Sequence, residues 1–279
     1  MTKLNFNPTA NRFNLQNALV LAECSSLAYE DENTIQSKVK KEWVFDECKF
    51  KECSETQFYI AKSEDLILLA FRGTEKNKIA DILIDLFAWR TKAFWGSVHA
   101  GFSVALDFVF NDIVALLKKM QDNDQPIWIT GHSLGGALAI LASARLACEA
   151  GVSHIQGIYT YGQPLVGDKR FKKEFTKVFS GKCYRVTNYR DPVSLVPLKF
   201  WKYRHVGQIV LFNQEGKRVE KSDFWTRISL VIIPLIIAFI AFLRKKKDLR
   251  REWIGKVTDP HDLERYKNNI EKSINSLIT

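Results

Sequence analysis

The run PIWITGHSLGGALAILASARL, residues 126–146, constrains the fold of this chain more than any other stretch. PIWIT reads as a short buried strand and GGALAILASARLAC as an alanine-rich helix, with Ser133 between them and flanked by Gly131 and Gly135. A serine on a sharp turn between a strand and a helix is lifted above the sheet edge, which is what a nucleophile elbow requires. The glycines stand where a side chain would strike the neighbouring strand or helix. The helix N-terminus aims backbone N–H groups and a partial positive charge at the site. G-x-S-x-G alone is a weak pattern, and a plain strand-to-helix turn is the alternative reading. The flanking strand and helix favour a nucleophile.

The rest of the chain repeats the strand–helix rhythm. Residues 14–29 read as a helix, and EWVFDECKFKECSETQFYIAKSEDLILLAFRG as two or three strands, with SED turning QFYIAKS into DLILLAF. Residues 104–121 read as one long amphipathic helix and FKKEFTKVF as another. HIQGIYTYG, CYRVTNY and YRHVGQIVLF read as further strands. Alternating strands and helices predict an α/β fold with a mostly parallel sheet covered by helices on both faces. At 279 residues the chain is long enough for a single large domain, and 1–279 is read as one.

The net charge is +10. Without a zinc-ligand spacing, an RNA-binding signature or a glycine-rich phosphate loop, that charge points away from nucleic acid and toward an anionic membrane surface. The five cysteines are Cys24, Cys48, Cys53, Cys148 and Cys183. Their odd number and mixed surroundings fit reduced thiols better than a disulfide framework. CKFKEC has no further ligand nearby, so no metal is expected there. The first 24 residues have no apolar stretch behind a basic start and no small-residue cleavage site, so a cytoplasmic, membrane-associated location is expected.

An oxyanion hole needs a second backbone N–H from elsewhere in the sheet. LLAFRGTE ends a buried strand at Arg72-Gly73-Thr74, upstream of the elbow, so the amides of Thr74 and Leu134 are the candidates. FRGTE, VHAGF, GHSLGGALA, YTYGQPLVGD, YRVTNYRDPVSLVPL and YRHVG then occur in that order. Together they resemble the class 3 lipase family, the fungal lipase-like α/β-hydrolases, over about residues 14–212. The resemblance implies an α/β-hydrolase fold and hydrolysis of carboxylic esters, usually of lipids.

In this fold the acid follows the nucleophile and the base follows the acid. Asp191 lies just past the second strand after the nucleophile strand, and Asp168 past the first. Asp191 is preferred by that count and by the resemblance, with Asp168 the alternative. Among the histidines, His99, His132 and His154 come too early in the chain, which leaves His205 and His261. His261, in VTDPHDLERY after the last expected strand, is read as the base. Asp259 would cap the following helix and put His261 in its first turn, where the helix N-terminus disfavours protonation.

The expected function is a serine carboxylic ester hydrolase acting on lipids, of the acylglycerol lipase type. Phospholipase A and a non-catalytic lipase-like scaffold are the alternatives. No cofactor is expected.

KNKIADILIDLFAWRTKAFWGS, residues 76–97, reads as an amphipathic helix. In the resembled family this region covers the active site. Ile79-Ala80 stands where that family has tryptophan, so its packing here is expected to differ. Residues 228–243 run uncharged and are followed by RKKKDLRR, and together they suggest a membrane-interacting insertion at about 224–251. Sixteen helical residues would span about 24 Å, short of the ~30 Å hydrocarbon core. A single crossing would also separate Ser133 from His261. An in-plane or re-entrant segment keeps both on one side.

Overall fold

In the computed structural model, the described residues are 5–75, 90–152, 154–189, 191–197, 202–213, 215–219 and 259–277. The apolar runs become strands β1 (Glu47–Cys53), β2 (Thr56–Lys62), β3 (Ile67–Phe71), β4 (Arg90–Ala93), β5 (Gly96–His99), β6 (Ile127–His132), β7 (Ile155–Tyr161), β8 (Cys183–Asn188), β9 (Gln208–Phe212) and β10 (Arg218–Val219). The α-helices are α1 (Leu15–Leu27), α2 (Glu32–Ser37), α3 (Ala100–Asp107), α4 (Phe110–Met120), α5 (Leu134–Cys148), α6 (Lys169–Phe179) and α7 (Leu263–Asn275).

One sheet runs β1-β2-β3-β6-β7-β8-β9-β10. Its centre, β3 to β9, is parallel, while β1, β2 and β10 pair antiparallel at the two edges. Every residue of β3 and β6 is buried, as a parallel strand covered on both faces demands. Successive side chains on β6 serve opposite faces. Ile127 and Ile129 join a core with α3, α4, α5 and α6, while Trp128 joins the other core with α1 and α7. The expected mostly parallel sheet with helices on both faces is therefore present.

Three local expectations change. Residues 104–121 are not one helix: α3 and α4 meet at a 50° bend. Val109 leaves helical geometry there (φ −122, ψ −7) and is fully buried, so the bend drives Val109 and Phe110 into the core. The end of the 76–97 segment is not helical either. Residues 90–99 form the antiparallel hairpin β4–β5, which packs Trp95 against Phe171, Phe175 and Phe179 of α6. Those phenylalanines recur every fourth residue and are almost fully buried, each contributing about 1.5–3 kcal/mol.

The third change is at the C-terminal helix. Asp259–His261 forms a 3-10 turn, and the cap of α7 is Asp262, whose side chain accepts from Glu264 N. His261 thus precedes the helix rather than lying in its first turn. Residues 76–89 of the expected cover, the apolar run 228–243 and the basic cluster 244–251 lie outside the described residues.

Candidate active site

Ser133 sits between β6 and α5 with φ +58 and ψ −125. That backbone conformation is rare for a residue with a side chain and costs on the order of 1–3 kcal/mol. The close approach of the two elements imposes it. A Cβ on Gly131 would lie 2.3 Å from Gly135 O, and one on Gly135 would lie 2.5 Å from Phe71 O. Glycine at both positions lets α5 start directly against the sheet. Ser133 N donates to Tyr161 O at 2.9 Å, tying the turn to β7.

The structure brings Asp191 and His261 together, buried at the same strand ends. His261 Nδ1 lies 2.8 Å from Asp191 Oδ2. A carboxylate only accepts, so Nδ1 carries the proton and Nε2 keeps its lone pair. His261 Nε2 and Ser133 Oγ are both buried without a hydrogen-bond partner, which is unusual for buried polar atoms and typical of groups held for chemistry. The His261 ring stands 4.5 Å from that of His132, the residue before Ser133.

Further groups hold this pair. Asp191 Oδ1 accepts from Val193 N at 2.8 Å, and Tyr266 OH donates to Asp191 Oδ2. Burial opposes ionisation of Asp191, but the His261 ring and the hydrogen bonds from His261 and Tyr266 outweigh it and hold the carboxyl below its ordinary range. His132 Nε2 lies 2.7 Å from His261 O. That carbonyl can only accept, so His132 Nδ1 takes the proton of Tyr29 OH at 2.8 Å. Burial, reinforced by His261, lowers His132 to about 3, so the ring stays neutral.

Thr74 follows β3 in a loop that touches the elbow: a Cβ on Gly73 would lie 2.4 Å from His132 O and 3.2 Å from Ser133 Cβ. Arg72 anchors this loop through Gln57 Oε1 and Glu75 Oε1. Leu134 is the first residue of α5, so its N–H has no acceptor within the helix. Leu134 thus adjoins Ser133 directly, and Thr74 follows the glycine that touches it.

The alternatives resolve differently. Asp168 caps α6, accepting from Phe171 N at 2.8 Å and Ser97 N at 3.1 Å, and is occupied structurally. His205 precedes β9, and the ring that meets Asp191 belongs to His261. Tyr29, Tyr266 and Gly162 were not singled out from the sequence. A Cβ on Gly162 would lie 2.6 Å from both Asp191 Oδ2 and His261 Nδ1. Gly162 follows a strand that ends beside the acid, but the tyrosines carry no local signal because their partners are distant in sequence.

Two buried histidines predict the acid limb of stability. Burial lowers His99 to about 4, as it lowers His132 to about 3. The unfolded chain protonates both rings below about pH 6.5, so it binds protons that the native state refuses. Stability should fall with falling pH by at most about 1.4 kcal/mol per unit for each ring. Melting temperatures measured between pH 7 and pH 4.5 should drop steadily below pH 6.5. A flat profile there would contradict this origin.

Residues 68–201 match the family model described as Lipase (class 3). The chain is 29% identical over 189 residues to "Secreted mono- and diacylglycerol lipase 2" of Gibberella zeae, covering 56% of this chain and 46% of that protein. It is 26% identical over 256 residues to "Triacylglycerol lipase OBL1" of Arabidopsis thaliana, covering 71% and 49%. The chain thus spans about half the length of these curated relatives. Among solved structures, a lipase from Rhizopus microsporus var. chinensis superposes with TM-score 0.59 at 25% identity, covering 76% of this chain and 82% of that one. The α/β-hydrolase fold is therefore shared.

The cytoplasmic location expected above is overturned, because the Gibberella zeae relative is named as secreted. The cysteines carry no information about location. Cys24, Cys48 and Cys183 are buried in the core, where packing shields them in any compartment.

Proposed function

We propose that this chain, whose residues 68–201 match the class 3 lipase family model, is a serine carboxylic ester hydrolase of the acylglycerol lipase type. The supporting observation is the buried His261 Nδ1–Asp191 Oδ2 pair at 2.8 Å, together with a strained Ser133 whose buried hydroxyl makes no hydrogen bond.

Ser133 Oγ attacks the acyl carbonyl carbon and its proton passes to His261 Nε2. Asp191 keeps the Nδ1 proton in place and stabilises the imidazolium. The Thr74 and Leu134 amides take the oxyanion. The tetrahedral intermediate collapses as His261 hands its proton to the leaving alcohol, giving the acyl-enzyme. Water, deprotonated by His261, then attacks the same carbon, the bond from that carbon to Ser133 Oγ breaks, and His261 returns the proton to Oγ as the carboxylic acid leaves. This chemistry is carried by side chains and backbone amides of the chain.

Turnover of a short-chain aryl ester, a monoacylglycerol, a triacylglycerol and a phosphatidylcholine tests the reading. Hydrolysis of the aryl ester and the acylglycerols, with the phospholipid slower, is expected. Dominant turnover of the phospholipid would favour phospholipase A. No turnover of any ester by folded protein would favour a binding scaffold.

An anionic lipid surface is the proposed partner, supported by the uncharged residues 228–243 and the six basic residues among 244–251. Each basic residue would add about 1 kcal/mol at an acidic surface. Flotation with acidic liposomes should be lost when 228–243 is deleted. Undiminished flotation of that deletion would remove the proposal.

A further inference from the structure

A groove of about 430 Å³ lies at the end of the sheet opposite Ser133. Ser63–Asp65 turns into β3 at its N-terminal end, whereas Ser133 follows the C-terminal end of β6. Strands of five or six residues separate the two by roughly 20 Å. None of the groups around Ser133, His261 or Asp191 lines the groove.

Its walls are apolar. Phe6, Leu21, Trp43, Phe45, Leu66 and Leu68 form them, joining the N-terminal segment, α1, the stretch after α2 and the start of β3. The volume falls in the range of small-molecule pockets, which are mostly apolar with a few placed polar groups.

The lip is unusual in backbone. Residues 38–42 form a π-helix, a geometry often found at functional sites. Val44 follows at φ +61 with 48% of its surface exposed. A β-branched residue in the left-handed region is a conformational outlier, and here it presents a bare apolar side chain to solvent. Folding alone would favour glycine or asparagine at that position.

The rim is acidic in a chain of net charge +10. Exposed Asp46, Glu64 and Asp65 line the groove, and the described lining contains no lysine, arginine or histidine. Lys38 sits over the Trp43 ring, 5.7 Å from its centroid, but outside this lining. Aromatic faces and carboxylates both favour a cation. A free carboxylate, the product of ester hydrolysis, would be repelled.

We propose that this groove binds a single-chain amphiphile with a cationic head, its alkyl chain against Leu21, Phe45, Leu66 and Leu68 and its head among Asp46, Glu64 and Asp65. The proposal is independent of the chemistry at Ser133.

The probes are dodecyltrimethylammonium, dodecyl maltoside and dodecyl sulfate, each below its micellar concentration. Titration calorimetry measures affinity, and hydrogen exchange locates the bound molecule. Dodecyltrimethylammonium should bind saturably and protect residues 43–46 and 63–68. The combined variant Asp46→Asn, Glu64→Gln, Asp65→Asn changes only exposed side chains and should weaken its binding about tenfold at low salt, with less effect at high salt. A second variant, Val20→Trp, at a position of α1 that also lines the groove, should fill it and abolish binding, with a thermal melt checking its fold. Equal affinity for the three probes, protection elsewhere, no saturable binding, or full affinity in the charge variant would each overturn the proposal.

Discussion

Ser133→Ala should lower kcat on a short-chain ester by on the order of 10⁴-fold or more and leave the melting temperature nearly unchanged. The size follows from the role. Ser133 Oγ is the protein atom that bonds to the acyl carbon in the proposed route, so no neighbouring group substitutes for it. The small stability effect follows from the surroundings. The hydroxyl makes no hydrogen bond, so its removal leaves no orphaned partner, and alanine adopts the same backbone. A fluorophosphonate should label the parent at Ser133 and leave the variant unlabelled. Undiminished labelling or turnover in Ser133→Ala would require another nucleophile.

His261→Ala should cost about as much, on the order of 10⁴-fold in kcat. His205→Ala should cost far less and act partly through stability. The reason lies in contacts that only one of the rings makes. His261 donates Nδ1–H to a buried carboxylate and holds Nε2 unpartnered, while its own backbone carbonyl is braced by His132. Removing the ring also strands Asp191 without its main counter-group, so some loss of stability is expected beside the loss of rate. Without a base the serine hydroxyl barely ionises near neutral pH, and both acylation and deacylation slow. Measured in two folded variants, a larger kcat loss for His205→Ala would reverse the assignment of the base.

The parts of the site legible in the sequence are those whose constraints are local. Ser133 announces itself because strand, turn and helix adjoin it within twenty residues, and the glycines beside it answer to steric demands inside the same motif. Asp191 follows from strand counting, since each parallel strand returns the chain to the same edge of the sheet. His261 needed more. Its place after the last strand was readable, but its place before the helix was not. Asp259 and Asp262 are both suitable caps, and Asn188 Nδ2, reaching the carbonyl of Pro260, helps fix the turn that carries His261.

The bend at Val109 was hidden for a related reason. Apolar spacing runs unbroken from 104 to 120, and only the depth of the core beneath Val109 and Phe110 breaks the helix. The hairpin at 90–99 was read as helix because its aromatic residues fit an amphipathic pattern. The phenylalanines of α6 that bury Trp95 lie some 80 positions away.

By itself the sequence determined the alternation of strands and helices, the strand–turn–helix around Ser133, and the order in which Ser133, Asp191 and His261 follow along the chain. These depend on side-chain periodicity and on backbone sterics within a few residues. Only the tertiary structure decided which aspartate meets which histidine, that Asp168 is spent on a helix cap, and that Tyr29, His132 and Tyr266 hold the pair in place. Those outcomes depend on hydrogen bonds between groups 70 to more than 100 positions apart, such as Asp191 with His261 and Tyr29 with His132. Such bonds exist only after the sheet has brought their strands to one edge, and nothing in the local sequence records them.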